Sequence, residues 1–463
     1  MRRALLAALL ALAGIAPVAV SAESTWATFG TPSATSTFGQ EIVFRQEFAN
    51  AVPLERVEIL LEYPGNIGPF VAQVEGAMAA GSRVLVYRLT LADGGHVYPN
   101  SPITARWRLV PVDRTTEPII GPPVTVTYAD TRFAWKTLVG ETIRVHWYEG
   151  SSAFGRRALA IGEKAVREAA DFLGVTESEP IDFFIYADQA AFYDAVGPDT
   201  RENVVGTPIA EIRTMFALIP PNDVSTAEVT RTVPHELTHL VFDTAVHNPY
   251  HYPPRWLNEG VATYLSEGFS SWLRSSIDDA LAKGRLMPLT ALDVQFPTAY
   301  ERFALAYAES TSAVDYLVRE KGTDALVGLI NSYADGVTDD EAFTAAVGTD
   351  VAGFESAWLK SLGADAPTQY GPQPAPSGPL PPGWDAAAGA VPSAAPSAGA
   401  ATPAPVPTSS GEPAAGGTSG GDGSPLRDGR VLLVAALAGL VVGGVLAYVR
   451  RRRARTVADG PTP

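Results

Sequence analysis

The run His235-Glu236-Leu237-Thr238-His239, followed by Glu259 inside Trp256-Leu257-Asn258-Glu259-Gly260, restricts the fold of this chain more than any other stretch. On a helix the two histidines stand one turn apart on one face, roughly 6 Å from each other, so both imidazoles reach a single ion. Zinc favours neutral imidazole and carboxylate in a tetrahedral shell, and a catalytic site fills three places with protein and leaves the fourth to water. His235, His239 and Glu259 are the expected metal ligands, for one Zn2+ per chain. Glu236 adjoins a ligand but is turned about 100° around the helix, toward the open position, and is the expected general base. Because the ligands come from two segments, two helices have to meet at one point.

A surface helix with two ordinary histidines is the plainer account of the first motif, and its surroundings argue against it. Thr232 is placed to cap the helix and Pro234 to sit in its first turn, while Val233, Leu237, Leu240 and Val241 form an apolar face. A second helix opens after Pro253-Pro254, with Trp256, Leu257, Val261, Tyr264 and Leu265 toward a core, and carries Glu259.

These two motifs, HELTH and WLNEGVATYL, resemble the gluzincin metallopeptidases, the group that includes thermolysin and the zinc aminopeptidases, and most closely the bacterial peptidase MA-like domains. The resemblance spans roughly residues 131–363. It implies a thermolysin-like α+β zinc peptidase domain, a peptide or protein substrate, zinc on His235, His239 and Glu259, and Glu236 activating water against a peptide carbonyl. Departures from the pattern narrow it. Phe242 and Ala245 stand where metzincins need Gly and His, which excludes that group. The Gly-x-Met-Glu-Asn segment of the clan's aminopeptidases has no counterpart between Asp199 and Arg231, which speaks against an exopeptidase. Thermolysin-like enzymes carry an Asn before the ligand Glu and an Asp four residues after it; Asn258 matches and Thr263 does not. Asp243, one turn beyond His239, is a weak replacement.

Hydrolysis builds negative charge on the former carbonyl oxygen, so such a site needs a donor beside the metal. Tyr307, on an expected helix downstream of Glu259 where related zinc peptidases place a Tyr, is the favoured catalytic donor over an aromatic that merely packs; Tyr264 and Arg302 are lesser choices. His247 and His251 read as loop residues bordering the cleft.

Residues 1–22 read as a signal peptide, with Arg2 and Arg3, an apolar run and Val20-Ser21-Ala22. Residues 431–449 are 19 uncharged, largely apolar residues, about enough for one transmembrane helix, and Arg450 to Arg453 with Arg455 follow. The positive-inside rule puts the basic tail, 450–463, in the cytoplasm and the rest outside the cell membrane. Between catalytic half and span, residues 364–430 read as a disordered linker: 14 of the 63 residues 364–426 are Pro and none is Lys or Arg.

The net charge is −16; without the +2 of residues 1–22 and the +5 of residues 427–463 the exported part carries −23. Nucleic acid is thereby disfavoured as a partner, since its binding relies on clustered cations. With no cysteine, disulfides are excluded in a compartment that permits them.

The remaining portion divides near residue 130. Segments 41–44, 55–61, 82–91, 104–110 and 124–128 alternate or are β-branched, with turns at Pro64-Gly65, Asp93-Gly94-Gly95 and Pro99-Asn100, and predict a β-sandwich over 23–130. Beyond it, 142–148 and 181–186 predict strands, 154–173 a helix, and 214–219 a strand bordering the cleft, whose edge would pair with an extended peptide. From residue 255 to 362 the pattern is mainly helical. The whole reads as a membrane-anchored extracytoplasmic zinc metallopeptidase. The alternative is a surface binding or adhesion protein with a catalytically inactive peptidase-like fold.

Overall fold

The computed structural model describes residues 26–91, 96–197, 205–248 and 251–365. The expected signal segment, the expected span at 431–449, the basic tail and nearly all of the spacer lie outside these residues. Among the described residues no helix is long and apolar enough to cross a membrane.

The described residues open with nine strands: β1 (Ala27–Phe29), β2 (Ser33–Thr37), β3 (Glu41–Asn50), β4 (Leu54–Glu62), β5 (Phe70–Glu75), β6 (Gly81–Thr90), β7 (Ser101–Pro111), β8 (Ile119–Ile120) and β9 (Val124–Tyr128). All pairings among them are antiparallel: β3 holds β1, β2 and β6, and β7 joins β4, β8 and β9, with β5 beyond β4. Period-two alternation explains why they stack. Ile42, Phe44 and Phe48 of one sheet and Ile103, Ala105, Trp107 and Leu109 of the other are buried in one core, while their neighbours in sequence are less buried.

The second half begins with β10 (Lys136–Val139), β11 (Ile143–Trp147), α1 (Ser152–Leu173), β12 (Ile181–Tyr186), α2 (Gln189–Val196), β13 (Gly206–Ile209) and β14 (Thr214–Leu218). Its sheet runs β10-β11-β12-β14-β13; the central three strands are parallel and the outer two antiparallel to their neighbours. Then come α3 (Val229–Val246), α4 (Arg255–Glu267), α5 (Ser271–Ala282), α6 (Tyr300–Lys321), α7 (Thr323–Ser332), α8 (Asp339–Val347) and α9 (Val351–Ser361). Alternation again sets the faces. Val145, Trp147, Phe183, Ile185 and Met215 pack with α1 and α3, whereas Phe184, Tyr186 and Phe216 turn the other way, toward α2.

That second face is closed by the N-terminal sheets. Phe38 and Tyr98 pack into its aromatic cluster, and the Arg132 guanidinium lies 4.2 Å over the Phe38 ring. Asn100, at φ 71°, which Asn tolerates better than most residues, donates Nδ2 to Asp182 Oδ2 and to Thr214 Oγ1, both at 2.9 Å. Arg144 and His146 meet the same carboxylate, and together these donors outweigh burial and hold Asp182 down to about 2. The β-rich half is therefore part of the packing of the helical half.

The strand expected to border the cleft is corrected. β14 lies inside the sheet and β13 forms its edge. Gly206 and Pro208 disguise β13 in the sequence, yet Pro suits an edge strand, where one side of the backbone needs no partner strand.

Candidate metal centre

The first motif lies on α3, which starts at Val229, a turn earlier than expected; Thr226 Oγ1 accepts from Val229 N at 3.3 Å, and Val229 is buried. Thr232 is thus not the cap, and Pro234 sits inside the helix, where it leaves the Thr230 carbonyl without its regular donor. α4 follows after the Pro253-Pro254 stop and packs on both α3 and α6. Its approach to α6 needs Gly260: a Cβ there would lie 2.6 Å from the Ser310 carbonyl oxygen. This contact seats Glu259 under the histidines.

Glu259 Oε2 stands 3.4 Å from His235 Nε2 and 3.6 Å from His239 Nε2, and donor atoms of the three residues lie within 4.8 Å of one another. A tetrahedral zinc with bonds of about 2.0–2.1 Å separates its ligands by about 3.4 Å, so the two carboxylate–imidazole edges fit. Four buried atoms here have no hydrogen-bond partner in the protein: His235 Nε2, His239 Nε2, Glu259 Oε2 and Glu236 Oε2. Three converging lone pairs without a donor are what a cation satisfies, and the fourth atom, Glu236 Oε2, belongs to a carboxyl close enough to Glu259 to feel its charge. Among the described residues no other group of three or more His, Cys, Asp or Glu is so arranged.

The protonation states suit the same purpose. Burial pushes His239 down to about 4, against the pull of Glu259, so its ring is neutral at pH 7. Asn258 Oδ1 is 2.8 Å from His239 Nδ1, which assigns the proton to Nδ1 and leaves Nε2 as the donor atom. Asn258 in turn donates Nδ2 to the Tyr252 hydroxyl at 3.3 Å. The matching Asn thus orients the His239 ring, the part for which Asp243 was the weak replacement; Thr263, at the unmatched place, is buried with its hydroxyl unpartnered in the protein. Burial alone would raise Glu259, but His235, Arg255 and His239 hold it at about 2. Burial, with the Glu259 charge beside it, pushes Glu236 well above the usual carboxylate range; a cation among the ligands opposes both effects.

Tyr307 of α6 is buried, its ring centroid 6.2 Å from that of His235 and its hydroxyl against the Glu259 carboxylate. Burial first, then Glu259, keeps that hydroxyl protonated far above neutral pH, so it remains a donor. Tyr264 packs toward Phe172 and Arg302 lies near Glu309. His251 ties the link between α3 and α4 to α8 through Asp339 Oδ1, at 3.1 Å.

Two residues of the site carried no sequence signal in the motifs. Arg255, one turn before Glu259, donates to its Oε1 from Nη2 at 3.0 Å; the i,i+4 spacing was the available clue. Gly206 of β13 backs Glu236: a Cβ on it would stand 2.7 Å from Glu236 Cγ and 3.0 Å from Oε1. Its φ is not in the left-handed region, so alanine strains only this contact. Gly206→Ala is expected to leave zinc content unchanged and to lower kcat on peptides about a hundredfold, the effect of a displacement near 1 Å; unaltered kcat in steady-state assays would show that Glu236 has room to spare.

Residues 161–364 match the family model described as the Peptidase MA superfamily. Over this stretch the chain is similar to that superfamily. A comparison with curated proteins gives no match. Among solved structures, an M1 zinc metallopeptidase from Deinococcus radiodurans is 14% identical, with 73% of this chain and 94% of that one covered and a TM-score of 0.37. An aminopeptidase N family protein from Idiomarina loihiensis is 10% identical, covering 73% and 74%, at 0.37. Legionella pneumophila aminopeptidase A in complex with aspartic acid is 10% identical, covering 73% and 50%, at 0.33. Scores this low decide nothing about the chain's fold or chemistry. The matched stretch of the Peptidase MA domain includes α3, α4 and α6, and so all five residues expected to act.

Proposed function

We propose that this protein is a zinc metallopeptidase, anchored in the cell membrane by residues 431–449 with its catalytic half outside. The observation that carries the reading is the convergence of His235 Nε2, His239 Nε2 and Glu259 Oε2, all buried and unpartnered in the protein, beside Glu236 Oε2. These three residues hold the ion. Zinc, when bound, supplies Lewis acidity that polarises the scissile carbonyl and makes water a nucleophile near neutral pH.

The chain's own groups do the rest. Glu236 Oε2 takes a proton from the attacking water as its oxygen bonds to the carbonyl carbon. The same carboxyl gives the proton to the amide nitrogen as the C–N bond breaks, so it ends unprotonated and ready to repeat. Tyr307 donates its hydroxyl to the oxygen on which charge develops. β13, the edge strand of the sheet, runs beside Glu236 at Gly206, and in this reading an extended substrate whose side chains vary would add along it.

Mass-spectrometric mapping of a diverse peptide library with the purified full chain tests this. Cuts that disappear on chelation and return with zinc support a metallopeptidase, and their positions separate internal cleavage from trimming of ends. No cuts in any condition would favour an adhesion or binding protein with a silent peptidase fold. The anchor is tested in the same preparation: the chain should sediment with membranes and be released when residues 431–463 are deleted.

A further inference from the structure

The two oxygens of Glu259 have different surroundings. Oε1 faces Arg255, accepting from Nη2 at 3.0 Å and from Nε at 3.3 Å. Oε2 has no partner in the protein and faces the two histidine nitrogens. The guanidinium is itself held: it lies 4.8 Å over the Phe296 ring, and Phe296 packs edge-on to Tyr307 at 5.2 Å. The Arg255 backbone N–H donates to the Asp293 carbonyl at 2.7 Å, fixing the start of α4.

Electrostatics makes this location unexpected for an arginine. Arg255 is the first residue of α4, where the helix dipole disfavours a cation, and it adjoins a site shaped for a second cation. Its side chain is only 15% exposed, so water screens little of either effect. The Glu259 carboxylate favours it there.

We propose that Arg255 is a positioning residue that makes Glu259 a one-oxygen ligand. By engaging Oε1 with two N–H donors it turns Oε2 to the histidines and keeps the second oxygen off the ion. A carboxylate with both oxygens available can bind through both, and the added ligand atom takes the place that water and the substrate carbonyl need. The fork of a guanidinium suits this task, because two donors fix the carboxylate plane where a single ammonium fixes a point. This inference rests on the zinc reading above.

The test is a double-mutant cycle on the purified full chain, with zinc affinity read by competition against a chelating dye and the geometry read by the visible spectrum of the cobalt-substituted protein. Arg255→Met, which keeps apolar bulk on Phe296, is expected to weaken zinc about 10–100-fold, the usual effect of losing a ligand's partner, and to shift the cobalt bands toward the weaker absorption of a higher coordination number. Arg255→Lys should recover part of the affinity. In a Glu259→Gln background Arg255→Met should change affinity no more than about twofold, because no carboxylate remains to be positioned. Equal zinc affinity and an unchanged cobalt spectrum in Arg255→Met would overturn the role of Arg255, as would the same loss in both backgrounds, which marks damage to the fold. A wild-type chain that takes up no zinc would instead overturn the reading of the site itself.

Discussion

Glu236→Gln should bind zinc within about a factor of two of wild type and lose peptide hydrolysis by about 10²–10⁴-fold or more, the range for removal of a general acid–base group. The substitution isolates one property. Gln has the shape of Glu, so the contact with Gly206 and the packing of α3 persist. The amide cannot take a proton from water or return it to the leaving nitrogen. Glu236 is also outside the group of three residues whose atoms converge, so the ion should stay. Metal analysis and kcat/KM on a substrate from the library decide it: turnover at the wild-type rate would remove Glu236 as the base, and loss of zinc would make it a ligand.

How much of this was legible in the sequence follows from how local each feature is. The nearness of His235 and His239 on one helix face was legible because HExxH on a helix is a local geometry, fixed by the i,i+4 spacing, and the structure brings Glu259 to within 4.8 Å of both. β12 fell where expected, at Ile181–Tyr186, since five of its six residues are apolar or β-favouring. The long sandwich strands β3 and β7 were legible in part through alternation with one face in the core, and β4 and β6 through their apolar and β-branched residues. β2, with the sequence Ser-Ala-Thr-Ser-Thr, and the largely exposed β5 carry little apolar period, because solvent covers much of them. Their place is set by pairing with β3 and β4, which no local pattern records.

The site's remaining parts were hidden for the same reason. Gly206 is 30 residues before Glu236 and meets it only because β13 folds back along β14. The docking of Asn100 on Asp182 joins residues 82 positions apart. The start of α3 was misplaced because Pro234 signals a first turn, whereas the burial of Val229 and Val233 extends the helix past it. Arg255 was within reach of sequence reasoning, since a cation one turn before Glu259 is an i,i+4 pair; the Phe296 ring under its guanidinium is the part that no local pattern records.

Glu259→Ala is expected to act twice. Its first effect is on the metal: two imidazoles remain, and zinc affinity should fall by more than the roughly 10–100-fold that follows loss of an outer partner. Its second effect appears with no zinc present. Glu259 and Arg255 are both largely buried, at 6% and 15% exposure, and the pair is worth little net compared with an apolar one. Removing only the carboxylate deprives the buried guanidinium of that counter-charge, at an expected cost of about 3 kcal/mol, the lower end for a broken buried pair. The zinc-free variant should therefore unfold at lower urea than zinc-free wild type, and Arg255→Met added to it should restore part of the difference, because the buried charge that lost this counter-charge is gone. Wild-type zinc retention in Glu259→Ala would take Glu259 out of the ligand set. An unshifted urea midpoint in chelator would show that Arg255 finds water or another acceptor as readily as it finds Glu259.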